Sequence, residues 1–316
     1  MKNVYLYALA LLLPLGAGAC SDPLSSYEEV IGLRVLAISA DKPQLRPGES
    51  ASISALVTED ASYSWSYCPF AEPTLTGANC AITHAEFQEI ADQILTTPIV
   101  VPDYDLGTGE SAVFTHDIPP MFYQAVCQFL LGGDIPDGFS PPDCSQKFEM
   151  QIKLVVESNG QTLTSLATLD LLYDEMAPSN ANPELSGISA SLSGGQEFVL
   201  DSMQPTQMTR GQLYELKLEI DANSSETYLV PGAMGDAPEE KEENLIATWF
   251  YGAGSLDKNR TSFVPGSVAI ETLQENEYTT PTTEEFAEAS VTLYFVIRDG
   301  RGGTSFQTRE IELVSP

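Results

Sequence analysis

Apolar and polar residues alternate with a period of two along most of this chain, the pattern of strands buried on one face. From Leu33 the text LRVLAISADKPQLRPGESASISALV reads as two β-rich runs with a turn at Pro47-Gly48. In the second run Ile53, Ala55 and Val57 alternate against Ser52, Ser54 and Leu56. YSWSYC then puts Tyr63, Trp65 and Tyr67 on one face of a strand. The strongest signal is FEMQIKLVVESNGQTLTSLATLDLL, where Phe148, Met150, Ile152, Leu154 and Val156 point one way and Leu163, Ala167, Leu169 and Leu171 return. Asn159-Gly160 between them is a hairpin turn.

The same order recurs further on. GQLYELKLEID aligns Tyr214, Leu216, Leu218 and Ile220, LIATWFYGAG supplies a strand centred on Trp249, and VTLYFVIRDGRGGTSFQTREIELV is a closing hairpin turning near Asp299-Gly300. Strand, tryptophan strand and terminal hairpin occurring twice make an internal repeat. In the last strand the apolar phase shifts from even to odd positions between Phe306 and Ile311, for which a bulge near Arg309 is expected. YDEMAPSNANPEL, with Pro178 and Pro183 and no periodicity, separates the halves at 176–184. The expected organisation is an all-β chain of two tandem sandwich domains, 33–175 and 185–316.

Residues 69–147 interrupt the first repeat. Within them THAEFQEIADQIL reads as a helix, capped by Thr83 with Glu86 and carrying Phe87, Ile90, Ala91 and Ile94 as its apolar stripe. VPDYDLGTGE and GGDIPDGFSPPD read as loops. A loop-rich insertion on a rigid scaffold is where recognition is expected. Tyr104, Phe122, Tyr123 and Phe139 are its candidate contact aromatics, the competing reading being a small core of the insertion's own.

The first 19 residues have the layout of a signal peptide: Lys2 is their one charge, and Val4 to Ala19 is an uncharged run broken by Pro14, Gly16 and Gly18. That run is shorter than the roughly 20 apolar residues a spanning helix needs. Ala17-Gly18-Ala19 fits cleavage by an ordinary signal peptidase, which releases a soluble product. The same residues followed by Cys20 resemble the lipobox of bacterial lipoproteins, and the resemblance implies a diacylglycerol on the Cys20 sulfur and a membrane as partner. Ser21 in place of the aspartate retention signal further implies sorting to the outer membrane, facing the periplasm or the cell surface. Residues 20–32 then read as a tether whose 12 residues after Cys20 reach roughly 40 Å when extended.

Cysteine arithmetic agrees with lipidation. With Cys20 acylated, Cys68, Cys80, Cys127 and Cys144 remain, an even set for two disulfides in an oxidising compartment. Spacing leaves three connectivities open.

Short strands, a mid-strand tryptophan and the closing FVIRDGRGGTSFQTREIEL resemble bacterial immunoglobulin-like modules, the broad group that includes fibronectin type III and PKD-type domains. WFYGAGSLDKNRTSF is similar to a tryptophan strand in repeats of large bacterial envelope lipoproteins. The resemblance implies spacing, adhesion or ligand binding. It also implies pairing of Cys68 with Cys144 and of Cys80 with Cys127, because such a fold brings the end of the tryptophan strand beside the start of the hairpin.

Charge narrows the partners. The chain has 14 Lys plus Arg against 45 Asp plus Glu, a formal net charge of -31, which excludes nucleic acid bound through phosphate neutralisation. Self-repulsion that keeps the protein soluble explains the excess. Calcium held by the acidic run 236–244 or near Asp299 is the rival reading, and with it a secreted adhesin or carbohydrate-binding module.

Catalytic signatures are sparse. His84 and His116 are too few for a zinc site and read as loop or surface residues. Ser255 to Lys258 matches Ser-x-x-Lys without its companion motifs, and no nucleophile elbow, phosphate loop or dinucleotide fingerprint occurs. No cofactor is implied. The expectation is a non-catalytic envelope lipoprotein whose ligand is a protein or polysaccharide.

Overall fold

The structure is a computed structural model and describes residues 26–74, 77–131, 147–230 and 237–316. Its first half contains β1 (Val35–Ala40), β2 (Gln44–Leu45), β3 (Ser50–Val57), β4 (Ser62–Cys68), β5 (Ala71–Thr74), β6 (Gly77–Cys80), β7 (Asp105–Gly107), β8 (Ser111–Thr115), β9 (Lys147–Ser158) and β10 (Gln161–Leu172). Helices α1 (His84–Ile94) and α2 (Pro120–Leu131) lie within the insertion. One sheet has the order β1-β3-β8 and the other β2-β10-β9-β4-β7, and β5 pairs with β6.

The second half contains β11 (Leu185–Leu192), β12 (Phe198–Val199), β13 (Thr206–Thr209), β14 (Leu213–Ile220), β15 (Thr227–Val230), β16 (Glu239–Glu242), β17 (Leu245–Tyr251), β18 (Ser255–Leu256), β19 (Arg260–Phe263), β20 (Glu275–Thr279), β21 (Ser290–Arg298) and β22 (Thr304–Val314), with a short helix α3 (Ile270–Gln274). Its sheets run β12-β11-β14-β20-β18 and β13-β22-β21-β17-β19. The run β11-β14-β20 repeats β1-β3-β8, and the five-stranded order of the second half repeats that of the first strand for strand. Both halves are immunoglobulin-like sandwiches built on one topology.

Local chemistry explains the elements. Asn159 (φ 50) and Gly160 (φ 78) both take the left-handed conformation that a two-residue hairpin turn requires, and β9 and β10 pair without a break from Ser158↔Gln161 to Lys147↔Leu172. The inward residues of β9 from Phe148 to Val156 are all buried, as are Tyr214, Leu216, Leu218 and Ile220 of β14. Trp65 and Trp249 occupy equivalent strands, are fully buried, and satisfy their indole N–H groups on Gly109 O (2.8 Å) and Thr261 Oγ1 (2.8 Å).

The two sandwiches are clamped side by side. Leu36, Ala37 and Leu56 on the outer face of the β1-β3-β8 sheet pack against Phe250, Tyr294 and Val296 on the outer face of the second half's β17-β21-β22 region, with Val30 and Phe306 at the margin. Ser39 Oγ donates to Thr304 O, Arg298 Nη2 to Leu36 O (3.0 Å), and Asn182 Nδ2 to Ala40 O (2.7 Å). This contact replaces the bulge expected near Arg309: β21 and β22 pair in unbroken register from Ser290↔Glu312 to Arg298↔Thr304. Phe306 is apolar on the outward phase because the first sandwich covers it. Arg309 instead points inward, where its Nε donates to Leu200 O (2.7 Å) and its Nη1 to Thr308 O (2.6 Å).

The segment just before the first sandwich is also bound. Val30 N donates to Tyr251 O (2.8 Å) and Tyr251 N to Glu28 O (3.1 Å), a parallel bridge onto the end of β17. Tyr27 packs on Phe250 with ring centroids 5.9 Å apart, and the Arg34 guanidinium stacks 4.6 Å from the Tyr27 ring. Residues 26–31 of the expected tether therefore strap the first sandwich to the second.

Candidate functional site

Part of the insertion belongs to the sandwich itself: VPDYDLGTGE, expected as a loop, supplies β7, which pairs with β4, and β8 pairs with β3. Three residues are too few to show alternation. The helices gather at the end of the first sandwich where β4 finishes and β9 begins. Thr83 caps α1 by accepting from Glu86 N (3.3 Å), while the Glu86 carboxylate accepts from Thr83 N (2.8 Å) and Thr83 Oγ1 (2.7 Å), which is the expected capping box. Those bonds hold the Glu86 carboxyl below its usual range. The helix then turns Phe87 and Ala91 into the sandwich core.

The proposed contact aromatics lie elsewhere than on the surface. Phe122 and Tyr123 are buried in the main core, Tyr123 stacking on Phe148 at 4.8 Å. Tyr104 packs partly buried against Tyr67 at 4.8 Å. Phe139 lies outside the described residues. The competing reading fails as well, since these rings extend the sandwich core and form no separate one. A long apolar insertion on a 3.6-residue period stabilises itself best by closing the open end of an existing core.

The cysteines pair differently from the expectation. Cys68 is bonded to Cys80, closing a loop with a sequence separation of 12. The chain turns straight back after β4 through the β5–β6 hairpin, which sets the two Cα atoms 5.4 Å apart. That pairing excludes both Cys68 with Cys144 and Cys80 with Cys127. Cys127 falls within α2 with its side chain outside what is described, and Cys20 and Cys144 lie outside the described residues altogether.

The histidines serve structure. His84 Nε2 meets Val101 O at 2.9 Å. His116 is buried rather than on a surface loop, with Nε2 3.1 Å from Leu172 O and Nδ1 unpaired. Burial pulls its pKa below the ordinary value, against the opposing pull of Leu172 O and Asp117.

Two polar hubs tie the linker to both sandwiches at this same end. Asp170 accepts from Gln44 Nε2 (3.0 Å) and Lys147 Nζ (2.8 Å), and burial raises its carboxyl despite both partners. Gln44 Oε1 accepts from Asn180 N (2.9 Å), and Asn180 Nδ2 donates to Asp299 Oδ2 (2.7 Å). The other Asp299 oxygen accepts from Arg301 N (2.7 Å) and Gly303 N (2.9 Å), folding the tip of the β21–β22 hairpin. A Cβ at Gly303 would stand 1.9 Å from Asp299 Oδ2, so the tip needs glycine there. Asp299 is thus spent on protein donors.

The acidic run 236–244 forms β16 in its described part, paired with β15. Glu239 to Glu242 are exposed, whereas Glu243 is buried and accepts from Arg301 Nη1 at 2.6 Å. Burial nonetheless raises the Glu243 carboxyl. No group of three or more His, Cys, Asp or Glu able to hold a metal occurs among the described residues.

Two of the open concavities carry clustered charged residues. A groove of about 440 Å³ on the second sandwich is lined by Glu197, Glu215, Lys217, Lys258, Glu275 and Glu277 among others. Lys258, from the Ser-x-x-Lys match, lines it without Ser255. A smaller hollow of about 300 Å³ beside the insertion carries Asp103, Asp105 and Asp117 with Tyr67 and Tyr123. Asp103 and Asp105 there accept from Asp105 N (3.2 Å) and Gly107 N (2.8 Å), as turn-forming carboxylates do. In the larger groove Ser189 Oγ donates to the Glu197 carboxylate, and Ser189 itself is buried on β11, whereas the smaller hollow holds carboxylates and tyrosines.

No protein-family model matches the chain, and no curated protein does. Among solved structures it is similar to a chimeric titin Z1Z2-Z1Z2 tandem at 10% identity, covering 90% of this chain and 100% of that one with a TM-score of 0.20. Murine CEACAM1b matches at 7% identity over 88% of this chain and 100% of its own, with a TM-score of 0.21. The C-terminal domain of the Streptococcus pyogenes antigen I/II-family protein AspA matches at 9% over 87% and 98%, with a TM-score of 0.20. The fold assignment rests on the strand order above.

Proposed function

We propose that this protein is a non-catalytic envelope lipoprotein that is held in the outer membrane through an acylated Cys20 and presents its paired sandwiches to a protein or polysaccharide ligand. The observation that carries the reading is the AGAC stretch ending the leader, followed by a thiol count that becomes even once Cys20 is acylated. Polar residues spent on internal hubs support binding through surfaces over chemistry in a cleft. Acyl chains supply the membrane affinity, with each buried methylene contributing about 0.8 kcal/mol. Intact mass of the mature protein, with radioactive palmitate labelling of cells, tests it. Label lost on Cys20→Ala is expected, and an unlabelled protein with a free amino-terminal residue overturns it.

A further inference from the structure

We infer that the end of the paired sandwiches bearing the strap faces the bilayer and that the insertion and the acidic hairpin project away from it. The inference rests on acylation of Cys20. Strand directions fix the two ends. β17 runs from Ile246, opposite Arg298 beside the Asp299 tip, to Tyr251, opposite Leu293, so the strap docks at mid-height on the second sandwich, five residues or about 17 Å from the tip and the linker. In the first sandwich β1 leaves the strap at Val35 and reaches the linker at Ala40, where Asn182 binds. Thr58 Oγ1 donates to Gly32 O (2.7 Å), and Ser158 Oγ to Asp60 O (2.8 Å), which places the Asn159-Gly160 turn at the strap end.

The disulfide, the two insertion helices and the acidic hairpin lie at the opposite end. The Cys68–Cys80 bridge starts from the last residue of β4, and Tyr123 of α2 stacks on Phe148 at the start of β9. The β15–β16 hairpin grows from beside Glu243 and Arg301, at the linker end of the second sandwich. Along β9 the two ends are separated by about 35 Å at 3.3 Å per residue.

Chain length then places the membrane. Six residue steps from Cys20 to Ser26 reach about 20 Å when extended. The acyl-bearing residue can therefore pass the Ser290 and Val314 end of the second sandwich, three to five residues beyond the strap, and cannot reach the insertion. With both sandwiches tied beside it, neither is a stalk for the other. The exposed glutamates of β16 are also held away from anionic lipid, where like charges repel.

The test uses the full lipidated protein in phosphatidylcholine vesicles containing an acceptor-labelled lipid, with a donor dye coupled through an azide-bearing residue placed at Gln161 or at Lys241, both exposed. Energy transfer from Gln161 is expected to exceed that from Lys241 at least about twofold, given the spacing of the ends. Val30→Pro, which removes the N–H that binds Tyr251 O, is expected to narrow the difference. Vesicle-bound protein showing equal transfer from both sites, or more from Lys241, overturns the orientation and leaves the lipoprotein reading intact. Protein of verified mass that carries no lipid and stays off the vesicles overturns both.

Discussion

Leu56→Ser separates two clamped sandwiches from two independent ones. In β3 the residues sharing the phase of Leu56 are Ser52 and Ser54, so serine at 56 would complete the polar face that a free-standing sandwich presents to water. In the structure Leu56 is 6% exposed and packs with Leu36, Ala37, Phe250, Tyr294 and Val296. Losing that burial costs about 2 kcal/mol, and a serine hydroxyl enclosed among those side chains adds about 1 kcal/mol. A total near 3 kcal/mol lowers the thermal midpoint by about 8 °C for domains of this size. Scanning calorimetry of the full chain reads it directly. Phe250→Ala across the same contact is expected to cost about 3–4 kcal/mol, and the double variant less than the sum by at least about 0.5 kcal/mol because the two side chains share one cluster. An unchanged midpoint for Leu56→Ser, or full additivity with Phe250→Ala, would refute side-by-side packing.

Non-reducing peptide mapping is expected to recover Cys68 linked to Cys80, and Cys80→Ser to cost about 3 kcal/mol for a closed loop of this length, whereas a Cys68–Cys144 peptide would contradict the fold. Asp299→Asn keeps an acceptor for the two tip N–H groups but sets its amide N–H against Asn180 Nδ2, so chemical denaturation should show a loss of about 1–2 kcal/mol, and no loss would mean the linker bond contributes nothing. Because burial holds the folded pKa of His116 below 6.5, its contribution to stability is complete above pH 6.5 and is lost as pH falls through the interval down to the folded value. His116→Gln should flatten that slope, and an NMR titration giving His116 a pKa at or above 6.5 would disprove the burial argument.

Strands were legible wherever one face meets a core and the other meets water, and the misreadings cluster where that condition fails. Phe306 breaks the phase of its strand, and Leu56 sits among serines, because the partner sandwich covers the faces that alternation assigns to solvent. A β-bulge and a buried outer face produce the same phase shift in one dimension. The two are separable only by asking whether off-phase apolar residues occur on several strands at once, as they do at Leu36, Leu56, Phe250, Tyr294 and Phe306. The disulfide was illegible for a different reason. Spacing does not say whether the chain turns back at once or travels the length of the insertion before closing, and the β5–β6 pairing from Ala71↔Cys80 to Thr74↔Gly77 lacks a strong alternating signal in AEPT and GANC. His116 and Glu243 were misplaced by composition, since polar neighbours in sequence say little about burial when a buried ring meets a carbonyl and a buried carboxylate accepts from a guanidinium and the Glu226 N–H. The strap shows the limit most sharply: YEEVIG docks through a single backbone bridge, with Val30 N and Tyr251 N bonded, and through the separate side chains of Tyr27 and Val30, and so short a contact repeats too little to leave a periodicity.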